Sequence, residues 1–218
     1  MTKTGEAARP TPTVPTAESL PDWLIMHQRS LIIGAIVIAA GVGGGWLWKR
    51  SAEIKEQRAT EAYLSAEASF TAGNMPLAQT ELERITVRWS GTAAGTQAAM
   101  LMSQMLYDQR KYAEGIAQLE GVAPKAPTLL RSGVYALIAG GHEGAGQPAE
   151  AAAAFALAAK DAQFTLDGQM YRMEQARNLA AAGDVAGARA IYAEIRVLDD
   201  SPHAGEAKVR LGELLAKQ

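Results

Sequence analysis

The chain has 218 residues, a net charge of −2 at pH 7 and no cysteine. Disulfides, thiolate metal sites and thiol nucleophiles are excluded, and the balanced charge leaves no footprint for a polyanion, so nucleic acid is not an expected partner. Ala, Gly and Leu dominate and aromatics are only 6%, which favours helices packed through small side chains.

Residues 1–22 carry Pro10, Pro12, Pro15 and Pro21 among Thr, Ala and Glu. That composition cannot bury a core and predicts a disordered tail. Pro21 and Asp22 are helix-start signals, and they open an expected membrane anchor over 23–50. Within it, Leu31 to Trp48 reads LIIGAIVIAAGVGGGWLW without a charge. At 1.5 Å per residue this stretch spans about 27 Å, close to a bilayer hydrocarbon core. Trp46 and Trp48 precede Lys49 and Arg50, the indole-then-cation order that a membrane–water boundary selects. A lipid bilayer is therefore the expected partner of residues 31–48. A core helix of this length would carry a polar face. A cleaved signal would be shorter and nearer the N-terminus, with a small-residue cleavage site. Gly41 and Gly45 form a G-x-x-x-G pair that lets a second transmembrane helix approach.

Four segments beyond the anchor share one pattern: AGNMPLAQTELERI (72–85), QRKYAEGIAQLEGV (109–122), AGQPAEAAAAFALA (145–158) and AGDVAGARAIYAEI (182–195). A small residue recurs at Ala78, Gly115, Ala151 and Ala188, at separations of 37, 36 and 37. One helical turn later stands a large residue, Leu82, Leu119, Phe155 or Tyr192. Twelve residues before each small position is another: Ala66, Ser103, Ala139 and Ala176. Small side chains let two helices of a hairpin approach closely, and the large residue fills the groove beside the contact. The pattern predicts an almost wholly helical 54–217, with turns near 73–75, 109–112, 144–148 and 182–184. Pro76 and Pro148 suit the first turn of a second helix.

This small–x11–small–x3–large arrangement resembles the tetratricopeptide repeat over about residues 54–200. The period is longer than that family's usual one, the early Trp is missing, and a closing Pro is clear only near Pro124 and Pro202. The expected fold is all-α: one transmembrane helix, then an α-solenoid of about four tetratricopeptide-like hairpins over 51–200, then a capping helix over 201–218. Val209, Leu211, Leu214 and Leu215 are expected to form the apolar face of the cap. The layout is similar to that of the YfgM-like ancillary subunits of the SecYEG translocon, carried by GWLWKRS (45–51) and by TAAGTQAAMLMSQMLYDQRKYAEGIAQLE (92–120).

In this architecture the first helix of each pair lines a concave face. Counting three back, one forward and four forward from each small residue gives Tyr63, Glu67 and Phe70, then Met100, Gln104 and Tyr107, with Met173 and Arg177 in the fourth pair. Ala136, Gly140, Glu143 and Ala180 complete the positions. This mixed Met and aromatic surface is the candidate protein-binding site. Met100 and Met173 serve a core equally well, whereas Met102, Met105 and Met170 read as core. Tyr63 and Glu67 stand where a carboxylate clamp would need Lys and Asn, so acidic C-terminal tails are not expected ligands.

No G-x-S-x-G, P-loop, G-x-G-x-x-G or H-E-x-x-H occurs. His27, His142 and His203 are far apart, without the spacing of a helical metal pair. Catalytic residues, a cofactor, a metal and a small-molecule substrate are therefore not expected. The resemblance implies a bacterial inner-membrane interaction protein that associates with translocon subunits and hands emerging client proteins to periplasmic chaperones. The alternative is a scaffold for another envelope-assembly complex, and an enzyme is the remote third reading. Topology divides the signals. The N-side of the span carries Arg29 and His27, whereas the C-side carries Lys49, Arg50, Lys55 and Arg58. The positive-inside rule would hold the repeats in the cytoplasm, but long domains translocate largely regardless of charge. The resemblance implies a cytoplasmic N-terminus and periplasmic repeats.

Overall fold

The computed structural model describes residues 28–216. The expected tail over 1–22, the start of the anchor with His27, and the last two residues of the expected cap lie outside the described residues. Among the described residues there are nine α-helices, one 3-10 turn at Ala123–Lys125 and no strand. The chain divides into two compact units, Met1–Ser51 and Ala52–Gln218.

Helix α1 runs from Gln28 to Thr71 over 44 residues. In the first unit its apolar side chains, among them Ile33, Ile36, Val37, Ile38, Trp46 and Trp48, are exposed. It is the one helix among the described residues that is long and apolar enough to cross a membrane, and none of its apolar window is buried. A core-helix reading does not survive that exposure.

The second unit is a row of helix pairs. The C-terminal part of α1 pairs with α2 (Met75–Arg88), and α3 (Ala93–Asp108) pairs with α4 (Tyr112–Val122). Helices α5 (Thr128–Gly144) and α6 (Pro148–Asp161) form the third pair, and α7 (Thr165–Ala181) and α8 (Val185–Ile195) the fourth; α9 (Ala204–Ala216) closes the row. From α2 onward each helix packs on the next. All eight small positions of the repeat are buried, and so are Leu82, Leu119, Phe155 and Tyr192. In the second pair the helices approach so closely that Ser103 Oγ donates to the Gly115 carbonyl at 3.0 Å. Three apolar clusters follow along the row: Ala66, Leu82 and Ile85 with Met102 and Leu106; Leu119, Val134 and Ile138 with Phe155; and Ala176, Tyr192 and Ile195 with Leu211.

The four hairpin turns share one hydrogen-bond pattern. The residue after the left-handed position donates five residues back: Asn74 to Ser69 (3.0 Å), Lys111 to Leu106 (2.8 Å), Gln147 to His142 (2.9 Å) and Asp184 to Leu179 (2.8 Å). This is the Schellman motif. The left-handed residue is Gly73, Gly146 or Gly183 in three turns, but Arg110 in the other, with φ of 61°. Pro76 and Pro148 lie in the first turns of α2 and α6, as their sequence positions predict.

The start of the second unit is fixed to the next corner. Thr92 Oγ1 accepts from the Gly95 amide at 2.9 Å and caps α3. The Glu56 carboxylate accepts from the Ala93 and Ala94 amides at 3.2 and 3.1 Å, placing negative charge on the positive end of the helix. The closing helix differs from expectation in its face. Ala207 and Leu211 are buried and Leu214 is half-buried, whereas Val209 and Leu215 are exposed. Positions 207, 211 and 214 follow the i, i+4, i+7 stripe of a helix, and 209 and 215 lie off it.

The turns yield a stability prediction. A non-glycine residue in the left-handed region costs roughly 1–2 kcal/mol, part of which glycine returns as unfolded-state entropy. Arg110→Gly should therefore stabilise the chain by about 0.5–1 kcal/mol, raising Tm by a few degrees, and Gly183→Ala should lower it. Thermal unfolding of the full chain in detergent checks both signs.

Candidate protein-binding surface

The first helices of the pairs present the residues selected from the sequence, but in three distinct settings. In the first pair Tyr63, Glu67 and Phe70 are half-buried on α1. Tyr63 and Phe70 pack on the first core cluster. Burial pushes the Tyr63 hydroxyl pKa up, and the Glu67 carboxylate one turn away adds to the rise. Phe70 also lines an open pocket of ≈ 250 Å³ with Met75, Met105, Asp108 and Gln109.

In the second pair Gln104 is exposed, whereas Met100 and Tyr107 pack on the middle cluster. Tyr107 acts as a wedge between pairs. Its hydroxyl donates to the Leu137 carbonyl at 3.2 Å. A Cβ at Gly115 would lie 2.5 Å from its ring, and one at Gly141 would lie 2.4 Å from its hydroxyl. The ring fits because α4 and α5 carry no side chain at those two points. Burial is the main reason its pKa is pushed up to about 12, with the Glu120 carboxylate adding to it.

In the fourth pair Met173 is buried in the last cluster. Arg177 is exposed but engaged: its guanidinium meets Glu143 Oε1 at 2.7 Å and Glu174 Oε2 at 2.5 Å. Asn178, buried beside it, donates to the same Glu143 oxygen at 2.6 Å. This network joins α5 to α7. Met173 and Arg177 also line a small pocket of ≈ 80 Å³ with Met170, Tyr192 and the cap residues His203 and Arg210. Met102 and Met105 are core, as their sequence positions suggest, but Met170 is exposed. It lies in the second turn of α7, at the rim of that small pocket.

The eight selected residues all lie on first helices, in different settings, and do not converge on one pocket. A larger opening lies on the second-helix side. It has a volume of ≈ 410 Å³ and is lined by Glu120, Pro124, Tyr135, His142, Glu150 and Leu157. Ala123, Ala153 and Ala154 leave that space; the alanine run at 151–154 is the one sequence signal that could have pointed to it. Among the described residues no group of three or more His, Cys, Asp or Glu is placed to hold a metal.

These features define an α-helical repeat solenoid. Residues 22–132, half of the chain, match the model of the tetratricopeptide repeat-like domain, and the chain belongs to that family. It is similar in fold to a crystal structure from Podosopora anserina, a putative kinesin light chain with nearly identical TPR-like repeats. That likeness has a TM-score of 0.55 and 15% identity, over 74% of this chain and 87% of the other. No curated protein matches the chain. Domains of this kind generally bind other proteins and serve as scaffolds.

Because the folded pKa of Tyr107 lies above the ordinary value of 10.0, the neutral phenol is the form the fold stabilises. That contribution is complete below pH 10 and is lost as pH rises toward about 12. Tyr107→Phe should lose the hydrogen bond to Leu137, costing about 0.5–1.5 kcal/mol near neutrality, and should show a shallower stability loss at high pH than wild type. Urea unfolding at pH 9 and at pH 11 measures the difference.

Proposed function

We propose that this chain is a membrane-anchored protein-interaction module of a bacterial inner membrane, acting as an ancillary translocon subunit that links emerging secreted proteins to periplasmic chaperones. The observation that carries the reading is the pairing, in one chain, of an unburied apolar helical stretch with a repeat solenoid of a protein-binding family. The YfgM-like layout around GWLWKRS supplies the translocon assignment. The working parts are a tail over 1–22, an anchor over 23–50, repeats over 51–200 and a cap over 201–218. Clients or chaperones meet the first-helix face at Tyr63, Glu67, Phe70, Met100 and Gln104, where side chains stay accessible. Tyr107 and Met173 shape that face from within, and the exposed Arg177 lies on it. The repeats lie in the periplasm and the N-terminus in the cytoplasm.

A second reading, a cytoplasmic-facing scaffold for another envelope-assembly complex, is favoured by the excess of Lys49, Arg50, Lys55 and Arg58 over Arg29 beside the span. Photo-crosslinking from position 104 in native membranes, combined with protease added to intact spheroplasts, separates the two. The proposal expects translocon subunits or periplasmic chaperones in the crosslinked products and repeats that are cut without lysis. Repeats cut only after lysis, with no translocon product, would transfer the assignment to the scaffold. Phe70→Ala should reduce capture by roughly tenfold or more if that ring is a binding anchor; because the half-buried ring also packs on the first core cluster, the variant should melt lower as well, and capture is compared at a temperature where both chains are folded.

A further inference from the structure

The two edges of the helix row in the second unit have different chemistry. One edge is made of the four hairpin turns, where Asn74, Gln109, Arg110, Gln147 and Asp184 are exposed; Met75 and Leu77 are its apolar exceptions. The other is made of the corners that lead from one pair to the next. Those corners expose large apolar side chains: Val87 (78%), Leu129 (70%), Phe164 (66%) and Val197 (63%), with Leu166 and Leu198 beside them. Solvated corners normally hold polar turn residues, and repeated large apolar groups on one edge mark a contact surface.

The same corners carry a repeating cation. Arg88, Lys125, Lys160 and Arg196 all stand at the ends of second helices or just beyond, and all are exposed. Arg88 lies over the Trp89 ring at 5.1 Å. Asp199 and Asp200 follow Arg196, and Asp161 and Asp167 flank the corner of Lys160, so the cationic character is strongest along the first two corners. Cations with neighbouring aromatic and aliphatic side chains are the chemistry of a membrane interface with anionic headgroups.

The path of the chain identifies the occupant. Residues entering the second unit sit at this edge, because Glu56 caps α3 at Ala93 and Ala94 and Lys55 Nζ donates to the Ser90 carbonyl at 3.4 Å. Only residues 49–54 separate Lys55 from Trp48, the end of the apolar stretch. Even fully extended, that connection spans at most roughly 25 Å. Chain length therefore holds the first corner, where Lys55 and Glu56 meet Ser90, Ala93 and Ala94, within that distance of the headgroups of any bilayer that the stretch crosses.

We propose that the corner edge of the repeat unit lies on the bilayer surface, with Leu129, Phe164 and Val197 in the interfacial layer and Arg88, Lys125 and Lys160 on anionic headgroups. The inference rests on residues 31–48 crossing the membrane. It would leave the first-helix face accessible along its length while the hairpin edge points away from lipid.

The absence of cysteine makes the test direct. Single variants Leu129→Cys, Phe164→Cys, Val197→Cys, Gln147→Cys and Leu47→Cys of the full chain are labelled with an environment-sensitive fluorophore. They are reconstituted in phosphatidylcholine–phosphatidylglycerol vesicles containing headgroup-level nitroxide lipid. Labels at 47, 129, 164 and 197 should be quenched several-fold more than the label at 147, and K125E with K160E should reduce quenching at 129 and 164. Quenching at 47 alone would overturn the docking proposal and leave the span intact. No quenching at 47 would overturn the span and this proposal together. Corner labels shielded from aqueous quencher but untouched by lipid nitroxide, increasingly so with protein density, would assign the edge to a protein partner and also overturn it.

Discussion

Two helices can meet at close range only where neither carries a bulky side chain, and this chain meets that condition once per pair. Ala66 and Ala78, Ser103 and Gly115, Ala139 and Ala151, and Ala176 and Ala188 hold the small positions of the four pairs, and all of them are buried. The hydrogen bond from Ser103 Oγ to the Gly115 carbonyl is direct evidence of how near the backbones come. Leu82, Leu119, Phe155 and Tyr192 then fill the space one turn further on. The turn geometry, the register of the clusters and the direction in which every first helix faces follow from that contact. If it opened, each pair would lose both its close approach and the pocket its large residue fills.

Contacts between pairs obey a looser rule. Tyr107 reaches the next pair over two glycines, and Glu143 reaches Arg177 and Asn178 by charge. These joints differ at each step, as expected of a solenoid in which each unit contacts only its neighbours. The variation also distributes character along the first-helix face. Half-buried aromatics stand in the first pair, a wedge and an exposed amide in the second, and an ion network in the last.

The part of this that the sequence discloses is the part governed by local sterics. The small–small–large spacing, the four turns and the two prolines require only that a helix has 3.6 residues per turn and that a hairpin is tight, so they are visible in a single chain. The settings of Tyr107, Met173 and Arg177 are not. Tyr107 occupies the same register as Phe70, and nothing in that register says that Gly115 and Gly141 clear a place for its ring. Glu143 and Arg177 are 34 residues apart, so their pairing depends on how successive pairs stack. The helix over 28–71 is likewise longer than the expected anchor, because residues 49–54 contain no glycine, proline or capping signal to end it. The cap narrowed for a related reason: Val209 and Leu215 are apolar, but they lie off the stripe that touches α8.

The measurement that bears most directly on this account is a paired substitution within one helix. Ala188 and Ala190 both lie in α8; the first is fully buried against α7 and the second is exposed. Leucine at either site changes helix propensity by the same small amount, so any difference reports the helix–helix contact. In thermal unfolding of the full chain in detergent, Ala188→Leu should cost about 1–3 kcal/mol, and Ala190→Leu should stay within roughly 0.5 kcal/mol of wild type. Equal melting temperatures for the two variants would contradict the claim that close small-residue contacts organise the repeats.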